Sequence, residues 1–222
     1  MLTTQHVETL VGSEQYGLGL DLVSRLSGAT SFAERLTILE EAEDVFDQVE
    51  VREHAVRVAE GARRFAIHCG FDAGYSNSLY NATRFHDIGK LFVPNDILNK
   101  NGSPTDEEYG KIKTHAGTGK ALLGENAPDF VANIAAYHHE QYSGRGYAGL
   151  AGEDIPLEAR LVQIADVYDA LVSDRPYKAG MPEETALVTM LKDHQVRGVM
   201  FDPYLLRRFF EMRLEADLDQ SL

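Results

Sequence analysis

The sequence predicts an all-α protein, and three observations lead there. Apolar residues recur at helical spacing in one segment after another. Two segments open with the Ser/Thr-x-x-Glu spacing of a capping box, Ser31 to Glu34 and Thr105 to Glu108. Short β-branched runs of strand type are nearly absent. With 44% hydrophobic residues, the 222-residue chain can bury a full core, as one large domain or one domain with an extension.

Taken in order, residues 1–30 carry Gly12, Gly17, Gly19 and Gly28 and read as one weak helix with flexible ends. A helix over 31–49 follows, with Phe32, Leu36, Leu39 and Phe46 at roughly heptad positions. Its apolar stripe can pack on the rest of the chain or on a second copy, the latter giving a homodimer. The next helix, over 50–69, is ended by Gly70 and presents Glu50, His54 and Arg57 on one face. Residues 77–91 read as a half-buried helix around Leu79, Ala82, Phe85 and Ile88. Gly89 lets that helix end, so His86 and Asp87 are expected at its C-terminal lip, with Lys90 one turn beyond His86. Pro94-Asn95-Asp96 is turn chemistry.

From Thr105 a helix carries Tyr109, Ile112, His115 and Leu122. The helix predicted over 128–142 contains His138, His139 and Glu140, and a glycine-rich loop over 143–152 follows. Residues 157–172 place Asp166 and Asp169 one turn apart on a helix. Two amphipathic helices close the chain, over 183–194 and 203–214.

Composition narrows the function. A formal net charge of −14 argues against a polymeric nucleic-acid partner, which needs a basic footprint. An anionic substrate therefore needs a local cationic site, from metal or from clustered Arg and Lys. The single Cys69 excludes an internal disulfide, and there is no long apolar run or secretory signal, so a cytoplasmic, non-membrane protein is expected. Five of the eight histidines, His54, His86, His115, His138 and His139, fall on predicted helices, and Glu50, Asp87 and Asp166 add three carboxylates. Imidazole with carboxylate and no thiolate cluster favours borderline to hard divalent ions such as iron or manganese, with zinc less specific. Eight ligands exceed the needs of one ion and suit two sharing a bridging carboxylate, or three. Two metals about 3.5–4 Å apart are a known solution for hydrolysing phosphate esters. His6, His68 and His194 have no partner by spacing and read as structural.

The motifs HDIGK (His86 to Lys90), His138-His139-Glu140, Gly144-Arg145-Gly146-Tyr147, IADVYDAL and Arg175-Pro176-Tyr177-Lys178 resemble those of the HD-GYP family. These are cyclic di-GMP phosphodiesterases within the HD superfamily of metal-dependent phosphohydrolases. The resemblance implies an HD-type helical bundle over 50–222, preceded by a short helical extension over 1–49. It implies hydrolysis of cyclic di-GMP to linear pGpG or onward to GMP, the alternatives being an HD phosphohydrolase of another nucleotide or mixed cyclic dinucleotide, or a weakly active nucleotide-binding signalling module. By the same resemblance His54, His86, Asp87 and Asp166 are metal ligands, His115, His138 and His139 complete a second ion, and Asp87 bridges. Glu50 matches the ligand of a third ion. Lys90 matches the lysine at the scissile phosphate, Arg175 and Lys178 match phosphate-binding positions, and Tyr147 is placed to stack on or hydrogen-bond the nucleotide. Asp169 is expected to orient a ligand histidine. The chain departs from the family signature at one point: Gly-Tyr-Pro is Gly146-Tyr147-Ala148 here. Proline would restrict the backbone of its own and the preceding residue, and alanine does not.

Overall fold

In the computed structural model, residues 16–45, 49–174, 179–196 and 198–220 are described, with side chains except at 45, 49, 50 and 216–220. They form ten α-helices and no strand; the only extended pairing among them is a single bridge, Ser143 to Ala151. The helices are α1 (Tyr16–Gly28), α2 (Phe32–Val45), α3 (Val49–His68), α4 (Ala73–Thr83), α5 (Asn95–Leu98), α6 (Asp106–Leu123), α7 (Asp129–Tyr137), α8 (Leu157–Val172), α9 (Glu183–Val196) and α10 (Pro203–Gln220). The all-α prediction holds. No helix among the described residues is long and apolar enough to cross a membrane.

The chain divides into two compact units, Met1–Ala55 with Phe85–Ala136, and Val56–Arg84 with Tyr137–Leu222. Two predicted helices stop short of their expected ends at these crossings. Helix α4 ends at Thr83, so His86 and Asp87 lie in the turn beyond it rather than on its lip, and Ile88–Phe92 forms a 3-10 turn. Helix α7 ends at Tyr137, which leaves His138 and His139 in a turn. Hydrophobic spacing continued through both places, but the apolar residues on either side belong to different cores.

In the first unit, Leu22, Val23 and Leu26 of α1 and Ile38, Leu39 and Ala42 of α2 join Phe85, Ile88, Leu91, Phe92, Leu122 and Leu123 in one buried cluster. Phe32 and Leu36 pack against it, so the described part of the α2 stripe is used in cis; Phe46 lies outside the described residues. Arg35 ties the C-terminal turns of α1 and α6 together, donating to the carbonyls of Leu26 (2.7 Å) and Leu122 (3.0 Å). Both carbonyls are in last turns, where helices lack partners and favour a cation. The capping box of α6 forms as predicted: Thr105 Oγ1 accepts from the Glu108 N–H, and the Glu108 carboxylate accepts from the Thr105 N–H. At α2 the box is shifted. Ser31 Oγ accepts from the Glu34 N–H, but the Glu34 carboxylate reaches one residue further, to the N–H and hydroxyl of Thr30.

In the second unit, Val58, Ala59, Ala62, Phe65 and Ala66 of α3 are buried, as are Leu161, Val162, Ile164 and Ala165 of α8 and Leu205, Leu206 and Phe209 of α10. Phe209 takes Phe65 and Tyr168 edge-on. Asp202 opens α10 by accepting from the N–H groups of Tyr204 and Leu205, with Pro203 in the first helical position. Arg160 of α8 donates to the same carboxylate at 2.7 Å.

In the first unit the 3-10 turn packs closely on α6. A Cβ at Gly89 would stand 2.0 Å from the His115 carbonyl oxygen and 2.6 Å from the Gly119 nitrogen. Both are backbone atoms and cannot yield locally. Gly89→Ala is therefore expected to cost about 3 kcal/mol, the upper part of the range for overpacking. For a chain of this size that lowers the melting temperature by about 6–12 °C. A thermal melt checks it, and an unchanged midpoint would mean that the turn can leave α6 at no cost.

Candidate metal centre

The first unit supplies a carboxylate ringed by imidazoles. Asp87 is 2% exposed, His86 and His115 are fully buried, and His54 is 8% exposed. His86 Nε2 lies 3.4 Å and His54 Nε2 3.9 Å from Asp87 Oδ2, while His115 Nε2 lies 3.2 Å from Oδ1. One oxygen thus faces two histidines and the other faces the third, which is the disposition a bridging carboxylate needs. Ligand atoms of His54, His86 and Asp87 lie within 4.8 Å of one another. The Lys90 ammonium forms an ion pair with the same Oδ2.

The local fold fixes these groups one by one. His54 is carried by α3 and His115 by the buried face of α6, while His86 and Asp87 sit in the turn that leads into the 3-10 helix. The glycine-to-backbone packing at Gly89 holds that turn against the His115 segment. His115 Nδ1 lies 2.7 Å from the Ile112 carbonyl, which can only accept, so Nδ1 carries the proton. The Nε2 lone pair is left pointing at a carboxylate oxygen. Two electron-rich atoms at 3.2 Å repel unless a cation or a proton lies between them, so the donor set fits a divalent metal ion.

The second unit carries three more of the predicted ligands, His138, His139 and Asp166. His138 is fully buried, and its ring lies 4.1 Å from that of His139. Ligand atoms of His138 and Asp166 come within 4.8 Å of each other, as do those of His138 and His139. The Tyr147 ring tilts against His139 at 4.8 Å. Asp169 has partners that the expected histidine-orienting role did not include. Arg57 grips both of its oxygens, at 3.0 and 3.2 Å, and the Ser173 hydroxyl donates at 2.9 Å, which fixes the end of α8 to α3. The Glu50 side chain, Arg175 and Lys178 lie outside the described residues. After those two cations the chain returns to the end of α8: the Gly180 N–H donates to Asp174, just beyond that helix, and the Met181 N–H to the Leu171 carbonyl within it.

Glu140 is the residue whose role the sequence did not give. It is 1% exposed, and its carboxylate accepts from the N–H groups of Ala148 (2.6 Å) and Leu150 (2.8 Å). Its own carbonyl accepts from the buried Gln163 amide. A Cβ at Gly146 would stand 2.4 Å from Glu140 Cα, so only glycine lets the loop lie against this backbone. A buried acid directly before a glycine-rich loop was the available signal.

Residues 40–205 match the HD domain family, and the chain belongs to it. Several of its relatives are named as phosphodiesterases of cyclic dinucleotides. It is 42% identical over 143 residues to the cyclic di-GMP phosphodiesterase response regulator RpfG of Xanthomonas campestris pv. campestris, covering 63% of this chain and 36% of that one. It is 34% identical to a cyclic di-GMP phosphodiesterase of Thermotoga maritima, covering 82% and 49%. A 3'3'-cGAMP-specific phosphodiesterase of Vibrio cholerae is 33% identical, covering 71% and 30%. The chain thus spans about a third to a half of the length of these relatives. In fold it resembles an HDG"Y"P protein of Bdellovibrio bacteriovorus, with a TM-score of 0.63 at 18% identity over 91% of this chain and 70% of that one.

Asp87→Ala is expected to leave helicity largely intact and to weaken divalent-metal binding by more than about 100-fold. That figure is the upper end of what loss of an outer-sphere partner costs, and Asp87 would be a direct ligand. Metal analysis after dialysis, beside far-ultraviolet circular dichroism, checks it. Full metal content in the variant would remove Asp87 from the ligand set.

Proposed function

We propose that this chain is a metal-dependent phosphodiesterase that hydrolyses cyclic di-GMP to linear pGpG or onward to GMP, in cytoplasmic signalling. The observation that carries the reading is the buried Asp87 carboxylate with three imidazole nitrogens 3.2–3.9 Å away, one of them His115 in a fixed tautomer. The proposed metal ligands are His54, His86, Asp87, His115, His138, His139 and Asp166, with Glu50 as the ligand of a further ion. Iron or manganese suits these nitrogen and oxygen donors. Two or three such ions, when bound, supply Lewis acidity at the phosphoryl group and lower the pKa of water.

The chain's own residues do the rest. Asp87 presents an oxygen to each side, and the Ile112 carbonyl, accepting the His115 Nδ1 proton, directs His115 Nε2 toward the carboxylate and raises its basicity as a ligand. Lys90 neutralises Asp87 in the structure. Once the charge of Asp87 is satisfied by a divalent cation, the Lys90 ammonium is available to the scissile phosphate. Arg175 and Lys178 add positive charge for the second phosphate, and Tyr147 meets the nucleotide. A mixed cyclic dinucleotide is the second reading, favoured by the likeness to a 3'3'-cGAMP-specific enzyme. Anaerobically purified protein with its metals counted, assayed against cyclic di-GMP, 3'3'-cGAMP and cyclic di-AMP, decides between them. Turnover of none of the three would overturn the proposal.

Two further outcomes follow from it. Glu50→Ala should lower the metal count by up to one ion per chain while the other ions remain; an equal count would return Glu50 to a solvated helix face. Arg175→Ala and Lys178→Ala should each weaken cyclic di-GMP binding about 10- to 150-fold, since a charge-assisted hydrogen bond to phosphate contributes about 1.5–3 kcal/mol. Metal content should not change, and the turnover number should fall less than the affinity. Binding measured with a catalytically inert metal separates the two effects, and unchanged affinity would remove both residues from the substrate site.

A further inference from the structure

The sequence departs from the family signature at Ala148, and the structure gives that departure a specific consequence. The Ala148 N–H donates to Glu140 Oε1 at 2.6 Å, a bond that proline, having no N–H, cannot make. The Leu150 N–H donates to the other oxygen at 2.8 Å, so one buried carboxylate holds two amides that flank Gly149. Gly149 has φ +80°, a left-handed conformation in which two such amides can converge on one acceptor. The ends of the loop are closed separately: the Gly152 N–H donates to the Tyr142 carbonyl at 2.8 Å, and the Tyr142 N–H to the Met200 carbonyl at 2.9 Å. Glu140 is itself immobilised by burial, by Gln163 on its carbonyl and by the close approach of Gly146. Tyr147 lies between Gly146, packed on the Glu140 backbone, and Ala148, bonded to its side chain. Its ring rests on that of His139.

We infer that Glu140 is the positioning residue for Tyr147, and that in this chain the Ala148 N–H performs through Glu140 the ordering that proline gives the loop in the resembled family. The inference rests on the reading that Tyr147 meets the substrate. Glu140 acts through the loop and touches neither substrate nor metal. Its role is to hold the Tyr147 ring in one place before a dinucleotide arrives, so that ordering the loop costs nothing on binding.

The test uses the metal-loaded full chain with cyclic di-GMP as the probe. Glutamine at 140 keeps one acceptor but turns its NH2 toward the second amide. Glu140→Gln should therefore lose amide-exchange protection at Ala148 or Leu150, raise the Michaelis constant about 10-fold or more, and change the turnover number and metal content little. Ala148→Pro, which restores the family signature, should also raise the Michaelis constant, because the ring carbon replaces the N–H that faces Glu140 Oε1. Ala148→Ser keeps the donor on an exposed position and should behave as the parent. Protection that persists in Glu140→Gln would overturn the clamp, whatever the substrate is. Lost protection with an unchanged Michaelis constant, or tighter binding by Ala148→Pro, would overturn the positioning role. A parent that binds and cleaves no cyclic dinucleotide would overturn the functional reading instead, and the exchange data distinguish that case because they involve no substrate.

Discussion

The first unit is built around a charge that water cannot reach. Asp87 is a carboxylate at 2% exposure, and its ionised form needs compensation close at hand. Lys90 provides it three residues on, and the 3-10 geometry of Ile88–Phe92 makes that reach short. The three histidines add nothing to neutralise the charge while they remain neutral. They offer lone pairs, and a ring of lone pairs about a carboxylate is an arrangement for a cation. The cost of assembling it is met by packing, since Ile88, Leu91 and Phe92 sink into the same cluster as α1, α2 and the end of α6. Gly89 lets that cluster close until the turn touches the His115 backbone.

The second unit solves a different problem, which is how to hold a loop with four glycines still. Main-chain pairing at its ends leaves the middle free. Glu140 supplies the missing acceptor, and it does so from a buried position where a hydrogen bond to a charged group is strong. Order in the loop comes from a side chain reaching across it, where the family signature would use the stiffness of proline.

Much of this was legible in the sequence, and the failures share a cause. Helices with a single core behind them, such as α6 with its capping box and α8 over Leu157–Val172, were readable because spacing and caps agreed. The ends of α4 and α7 were not. Phe85 and Ile88 continue the spacing of Leu79 and Ala82 but belong to another core, and periodicity cannot register that change. The ligand types were visible because few other purposes need so many histidines beside carboxylates. The tautomer of His115, the reach of Arg57 to Asp169 across 112 positions and the two amides on Glu140 were not visible. Each depends on backbone groups or distant residues that carry no local pattern.

Partner chemistry also sorts the buried acids, which composition alone treats as equivalent. Asp169 is held by a guanidinium and a hydroxyl, Asp202 by a guanidinium and two amides, and Glu140 by two amides. Each of these partners donates, so each charge is already satisfied by the protein, and the acid serves the fold. Asp87 is paired with the Lys90 ammonium but also faces imidazole nitrogens of His54, His86 and His115, and a ligand atom of Asp166 lies within 4.8 Å of one of His138. A neutral imidazole can turn a lone pair toward such a carboxylate, as His115 does. For Asp87 the Lys90 ammonium supplies a cation in the structure, and the imidazole nitrogens around it are lone-pair donors to which a metal ion could bind in addition. The same comparison separates Glu140, Asp169 and Asp202, held by hydrogen-bond donors, from Asp87, whose imidazole neighbours support the proposed metal ligation.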